Sequence, residues 1–139
     1  IGADIVSEMI ESHQRAYGNA YVEFRHLDLI VDTLPSCDLM ICRDFLFHLS
    51  YEDIFEVLRN FCNSDIRFML TSTHINRVGF KNTDILTGDF RVIDLFGSPF
   101  FFPDKPLARI EDWIVPQPER EMCLFSREQI RQVIARRLG

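Results

Sequence analysis

Two periods run through the pattern of apolar and polar positions, and their alternation predicts the elements. Ile1 to Val6 is a short apolar run interrupted by Gly2 and Asp4, and it predicts a strand. Met9, Ile10, His13, Ala16 and Tyr17 then recur at helical spacing, with Ser7 as the expected cap. Gly18-Asn19 supplies a helix stop, and Tyr21 to Phe24, rich in β-formers, predicts a second strand running towards His26 and Asp28. After the break at Leu34-Pro35-Ser36, Asp38 to Cys42 is a continuous apolar run of the kind buried on both faces of a parallel sheet. Ser50 is placed to cap the next helix, with Glu52 and Asp53 facing its positive end. Ile54, Phe55, Leu58, Phe61 and Cys62 form its apolar stripe, and Ile66 to Leu70 predicts another buried strand.

From Ser72 to Pro118 the pattern loosens, with five of the six prolines in this stretch and one expected strand near Phe90 to Leu95. A long irregular segment inside a domain is usually functional, so 72–118 is expected to carry substrate contacts. Met122 to Phe125 predicts a final strand. Ser126-Arg127-Glu128-Gln129 has the capping-box pattern, followed by Ile130, Val133, Ile134 and Leu138 on one face and Arg131, Arg136 and Arg137 towards solvent. Strand and helix alternating in this way predict an α/β domain over 1–139, a doubly wound, mostly parallel sheet with helices on both faces.

Composition narrows the function. The 139 residues, 47% hydrophobic, suffice for one core. A formal charge of −6, from 21 acids and 15 bases, leaves no broad positive field, so no nucleic-acid partner is expected. No apolar run approaches the roughly 20 residues that span a bilayer, and the first residues lack a signal-peptide layout, so no membrane partner and a soluble, cytoplasmic protein are expected. The four cysteines form no CxxC pair and read as buried reduced thiols, and no metal site is expected.

In an open α/β sheet, ligands sit beyond the carboxyl ends of the strands, where Asp4, Asp28 and Arg43-Asp44 each follow an apolar run. An acid at such a position either binds ligand or simply holds a local turn, and Asp32 is a rival to Asp28. His48 is either a general base, since imidazole titrates near neutrality, or a packing residue beside Phe47 and Leu49. Thr71 to His74 adds three hydroxyls and an imidazole at the same edge. A Ser72, His74 and Asp44 hydrolase is a weak alternative, because no GxSxG turn surrounds any serine.

The run from Phe24 to Leu58, FRHLDLIVDTLPSCDLMICRDFLFHLSYEDIFEVL, read with Ile1 to Val6, resembles the middle of a class I S-adenosylmethionine-dependent methyltransferase. Cys42 to Ser50 is its most specific part, similar to the family's signature after the fourth strand. Asn82 to Pro103 resembles, with less specificity, the substrate-side region of some bacterial members. The resemblance implies a Rossmann-like fold, entered after the first strand and its Gly-rich loop, since no GxGxG occurs here. It implies S-adenosylmethionine as cofactor, with Asp4 at the ribose, Asp28 at adenine, Asp44 orienting the amino-acid end of the cofactor or a substrate, and Ile5, Leu29 and Arg43 also among the cofactor-binding residues. Asp44 and His48 become the catalytic candidates, and His74 and Phe100 the substrate-side ones. The expected activity is methyl transfer to a small or medium acceptor, incomplete or inactive in this fragment; the alternative is a non-catalytic partner-binding protein that keeps the fold. In the family's strand order, 3-2-1-4-5-7-6, the strand not seen here is central. Ile1 to Val6 is therefore expected to be displaced or re-paired, or a second chain, such as a homodimer mate, to cover the gap.

Overall fold

A computed structural model describes residues 1–138. Gly2–Asp4 (β1) leads into the helix Ser7–Tyr17 (α1), and Phe24–His26 (β2) returns to pair with β1 in parallel, Gly2 opposite Phe24. A Cβ at Gly2 would lie 2.6 Å from the Phe24 ring, so a larger residue there would have to push that ring aside. Leu39–Cys42 (β3), Tyr51–Asn63 (α2), Phe68–His74 (β4), Ala108–Glu111 (β5), Arg120–Ser126 (β6) and Arg127–Leu138 (α3) complete the described chain, with a 3-10 turn at Leu46–His48.

The architecture is mixed α/β, three α-helices and two small sheets among the described residues. β1 and β2 form one sheet, and β3-β4-β6-β5 the other. β3 and β4 run parallel, while β6 runs antiparallel to both β4 and β5. The expected single, mostly parallel sheet is therefore replaced by a parallel pair and a four-stranded sheet that is antiparallel across two of its three ladders. β1 is neither displaced nor re-paired: it keeps β2, and no ladder joins it to β3 among the described residues.

α2 forms as its sequence requires. The Ser50 hydroxyl accepts from the Asp53 amide at 3.1 Å, Glu52 and Asp53 face the positive end, and Ile54, Phe55, Leu58 and Phe61 are buried. They pack with Phe100, Phe125, Ile130 and Val133 into one core beneath the four-stranded sheet. The capping box of α3 is also present, Gln129 N donating to the Ser126 hydroxyl at 3.2 Å and Ser126 N to the Gln129 side chain at 3.0 Å. The Leu138 side chain lies outside the described residues. No helix among those residues is long and apolar enough to cross a membrane.

Five local expectations are corrected. The second strand begins at Phe24 rather than Tyr21, because the Asn19 side-chain oxygen takes the amides of Tyr21 and Val22 into a turn. α1 is entered through Val6, with Ser7 its first helical residue and no side-chain cap. Residues 90–95 form no ladder: Leu95 N donates to the Thr73 hydroxyl and Ile93 N to His74 Nδ1, so side chains take the amides that a strand would use. β5 lies inside the segment expected to be irregular, all four of its residues exposed, held by its pairing with β6. β3, expected to be covered on both faces, buries Met40 and Cys42 but leaves Leu39 40% and Ile41 61% exposed.

Candidate functional site

The carboxyl ends of β1, β2 and β3 meet at a cavity of about 450 Å³. Asp4 and Ile5, Asp28 and Leu29, and Arg43 and Asp44 all line it, so the structure brings together the six residues that the sequence offered as cofactor ligands. Parallel strands explain this convergence, since each carries its last residues to the same edge.

Both strand-end acids also hold their own turns. Asp4 Oδ1 accepts from Val6 N at 2.9 Å, and Asp28 Oδ1 from Ile30 N at 2.9 Å. These bonds fix each carboxylate at the cavity wall. Asp32 is no rival here: its Oδ2 accepts from Asp28 N at 2.8 Å and it does not line the cavity.

Asp44 occupies a left-handed backbone conformation, φ 53°, that L-residues other than Asn, Asp and Gly avoid. Long-range contacts hold it there. Its amide donates to the buried Ser72 hydroxyl at 2.9 Å, and its Oδ2 lies 3.3 Å from the Arg120 guanidinium. Arg43 forms a two-pronged pair with Asp112, Nε to Oδ2 at 2.9 Å and Nη2 to Oδ1 at 3.1 Å, and Arg120 Nε donates to the Asp112 carbonyl at 2.8 Å. The hydrogen bond from Arg43, with the nearby positive charges, holds the Asp112 carboxyl below its usual range. Sequence reasoning missed Ser72 as a positioning group, and Asp112 and Arg120 altogether. Ser72 and Arg120 lie on β4 and β6, and Asp112 directly follows β5, a placement that only the strand pairing reveals.

Thr87 also lines the cavity and was not anticipated. The segment around it folds over the start of α2: Ser50 N donates to the Thr87 hydroxyl at 2.9 Å, Tyr51 N to Asp84 Oδ1 at 2.8 Å, and the Thr87 hydroxyl to Asp53 Oδ2.

The remaining candidates sit elsewhere. His48 does not line the cavity; its Nδ1 donates to the Asp89 carbonyl at 2.8 Å, and its ring packs with Phe47 and Phe90 at 4.8 and 5.8 Å. This is the packing arrangement. Phe100 is fully buried against Tyr51 and Phe55. Ser72 bonds to Asp44 and approaches Met122 Sδ at 3.1 Å, and His74 bonds to the 93 amide, so these residues do not assemble a hydrolytic triad.

His74 is 4% exposed, and its Nδ1 accepts from Ile93 N at 3.2 Å, which leaves the proton on Nε2. Burial pulls its pKa below the ordinary 6.5. The unfolded chain therefore takes up this proton before the folded one. The His74 contribution is fully present above about pH 6.5 and is lost as pH falls towards the folded value, at up to about 1.4 kcal/mol per pH unit. Urea denaturation at pH 7.5 and 5.5 is expected to show a larger loss of stability for the native chain than for His74→Gln; equal losses would contradict it.

All four cysteines are free, and burial pushes the thiols of Cys42 and Cys123 up to about 12 and that of Cys62 up to about 11. They are thiols rather than thiolates at neutral pH. No group of three or more His, Cys, Asp or Glu side chains among the described residues is arranged to hold a metal ion.

Fold and site define a mixed α/β domain with an acid-lined cavity at the ends of its parallel strands. No family model, curated protein or solved structure matches the chain.

Proposed function

We propose that this cavity holds the nucleoside of S-adenosylmethionine, in a Rossmann-like domain whose activity is methyl transfer to a small or medium acceptor. The observation that carries the reading is the convergence of Asp4, Asp28 and Arg43-Asp44 on one cavity at the carboxyl ends of three strands. The volume, about 450 Å³, falls in the roughly 300–1,000 Å³ range of small-molecule sites.

The residues present suit the nucleoside part. Asp4 offers an anionic acceptor to the two ribose hydroxyls, Asp28 an acceptor to the adenine amine, and Leu29 and Ile30 an apolar wall. No glycine lines the cavity among the described residues, so Arg43 and Asp44 are the groups left for the charged amino-acid end. Bound there, the cofactor supplies an activated methyl group on a sulfonium. Asp44 is fixed from two sides by Ser72 and Arg120 and serves to orient rather than to take a proton. His48 is committed to the Asp89 carbonyl, which suits a reaction driven by alignment of nucleophile, methyl and sulfur.

Calorimetric titration with S-adenosylhomocysteine is expected to show saturable binding. Asp4→Ala should weaken it by about 10- to 100-fold, the equivalent of one or two charge-assisted hydrogen bonds. Absence of binding, or an unchanged affinity in the variant, would defeat the proposal. The alternative, a non-catalytic partner-binding protein, draws on a different observation, the open strand edges beside the cavity.

A further inference from the structure

Beyond the cavity, at the end of the β4–β6 ladder, two hydrogen-bond donors stand side by side. His74 lies opposite Arg120 in the register of that ladder. Ile75 N donates to the Glu119 carbonyl at 2.8 Å, which makes 75 and 119 a hydrogen-bonded pair and 74 and 120 the non-hydrogen-bonded pair next to it. Side chains on one face of a sheet come closest at such a pair. Each donor is held by its other bonds. His74 is 4% exposed and its Nδ1 accepts from Ile93 N, so Nε2 carries the proton. Arg120 donates from Nε to the Asp112 carbonyl at 2.8 Å and sets Nη2 3.3 Å from Asp44 Oδ2. His74 Nε2 and Arg120 Nη1 have no partner among the described residues and, unlike Arg91 Nε and Nη2, neither is sealed from solvent.

The surroundings define what these donors take. The Phe47 ring lies 5.2 Å from the His74 ring, and the Phe90 ring lies 6.4 Å from it at an interplanar angle of 80°. Phe90 keeps 55% of its surface exposed, an aromatic wall beside the donors. Asp44 lines the 450 Å³ cavity and meets Arg120, so the donors adjoin that cavity through one shared side chain. Arg43 and Arg120 bring two positive charges, Asp44 and Asp112 two negative ones, and the four pair with one another. His74 adds none, because burial holds it neutral at pH 7. These groups therefore offer two N–H donors with no charge left over. A carboxylate there would share the Arg120 guanidinium with Asp44 and meet its repulsion. An uncharged carbonyl oxygen, with two lone pairs, accepts from both donors without that penalty.

We propose that His74 Nε2 and Arg120 Nη1 together bind the carbonyl oxygen of an uncharged aryl carbonyl compound, an amide, ester or ketone, whose ring lies against Phe90. On the nucleoside reading, on which this step rests, that compound is the methyl acceptor, and the subsite selects neutral aryl carbonyls over the corresponding acids. His74 acts here as a donor with a fixed proton, since Ile93 N occupies the nitrogen that a base would need. Arg120 gains a second part, holding Asp44 with one nitrogen and the acceptor with another.

The probe is benzamide, and benzoate, of the same shape with one negative charge, is its control. Titration of benzamide is expected to shift the His74 Nε2–H resonance saturably, with a dissociation constant on the order of a millimolar for so small a ligand. Benzoate is expected to bind at least about tenfold more weakly. His74→Phe keeps a ring and removes one donor, and Arg120→Gln shortens the other. Each is expected to weaken benzamide about fivefold or more, read from the Asp44 and Phe90 backbone amides. Either variant alone carries the test if the other fails to fold. A His74 resonance unmoved by benzamide up to its solubility, benzoate binding as tightly as benzamide, or unchanged affinity in a folded variant would overturn the proposal. Asp4→Ala is expected to weaken S-adenosylhomocysteine and keep benzamide, and His74→Phe to do the reverse, so the two readings fail separately.

Discussion

Replacing Phe100 with alanine is expected to lower stability by about 3–5 kcal/mol, the range for deleting a fully buried aromatic ring. The ring is fully buried, edge-on to Tyr51 with centroids 5.2 Å apart and 5.7 Å from Phe55 on the same helix. Its loss opens a void among the side chains that fasten residues 93–102 to α2. Its neighbour Phe101 is 49% exposed, so Phe101→Ala should change stability by no more than about 0.5 kcal/mol. Urea denaturation of the two variants side by side reads the contrast directly. A pocket-wall role for Phe100 would predict the reverse pattern, a small stability change with a larger effect on an acceptor ligand. A measured loss below about 1 kcal/mol for Phe100→Ala would contradict the core assignment.

Arg91→Met is expected to stabilise the protein by about 1–2 kcal/mol. Arg91 is only 6% exposed, and its Nη1 donates to the Leu49 carbonyl at 2.6 Å over the Tyr51 ring, but its Nε and Nη2 have no protein partner. A buried cation without a full set of acceptors carries a desolvation penalty of several kcal/mol that one hydrogen bond and one aromatic face offset only in part. Burial accordingly pulls its pKa below the usual arginine value. Methionine keeps most of the volume and removes the penalty, at the loss of about 1 kcal/mol for the Leu49 carbonyl. The midpoint of a urea transition at neutral pH decides it. Destabilisation beyond about 1 kcal/mol would mean that ordered water satisfies the two nitrogens.

The largest departures from the sequence reading lie between Ser72 and Pro118. Periodicity registers buried faces, and β5 has none: Ala108 to Glu111 are all exposed, and the strand exists because β6 offers it an edge. Residues 90–95 mislead in the opposite direction. Ile93 and Leu95 are fully buried, which gives the alternation of a strand, yet their amides are taken by His74 and Thr73 side chains. His48 and Phe100 were legible as residues of interest, and their surroundings rather than their chemistry assign them to packing. The strand-end acids were more secure, because a short apolar run followed by Asp defines its own position once the strands are parallel.

What the sequence by itself determined is local. It specified α2 and α3 through their caps and apolar stripes, the strands β3 and β4 through their apolar runs, and the common edge at which Asp4, Asp28, Arg43 and Asp44 emerge. Each of these follows from interactions within a few residues, or from a periodicity that any partner surface would satisfy. Only the tertiary structure decided that β1 and β2 stand as a separate sheet, that β6 runs antiparallel between β4 and β5, and that Ser72 and Arg120 hold Asp44 in its left-handed turn. These depend on contacts between residues 10 to 76 positions apart, where the pairing energy belongs to neither partner alone and leaves no pattern in either stretch of sequence.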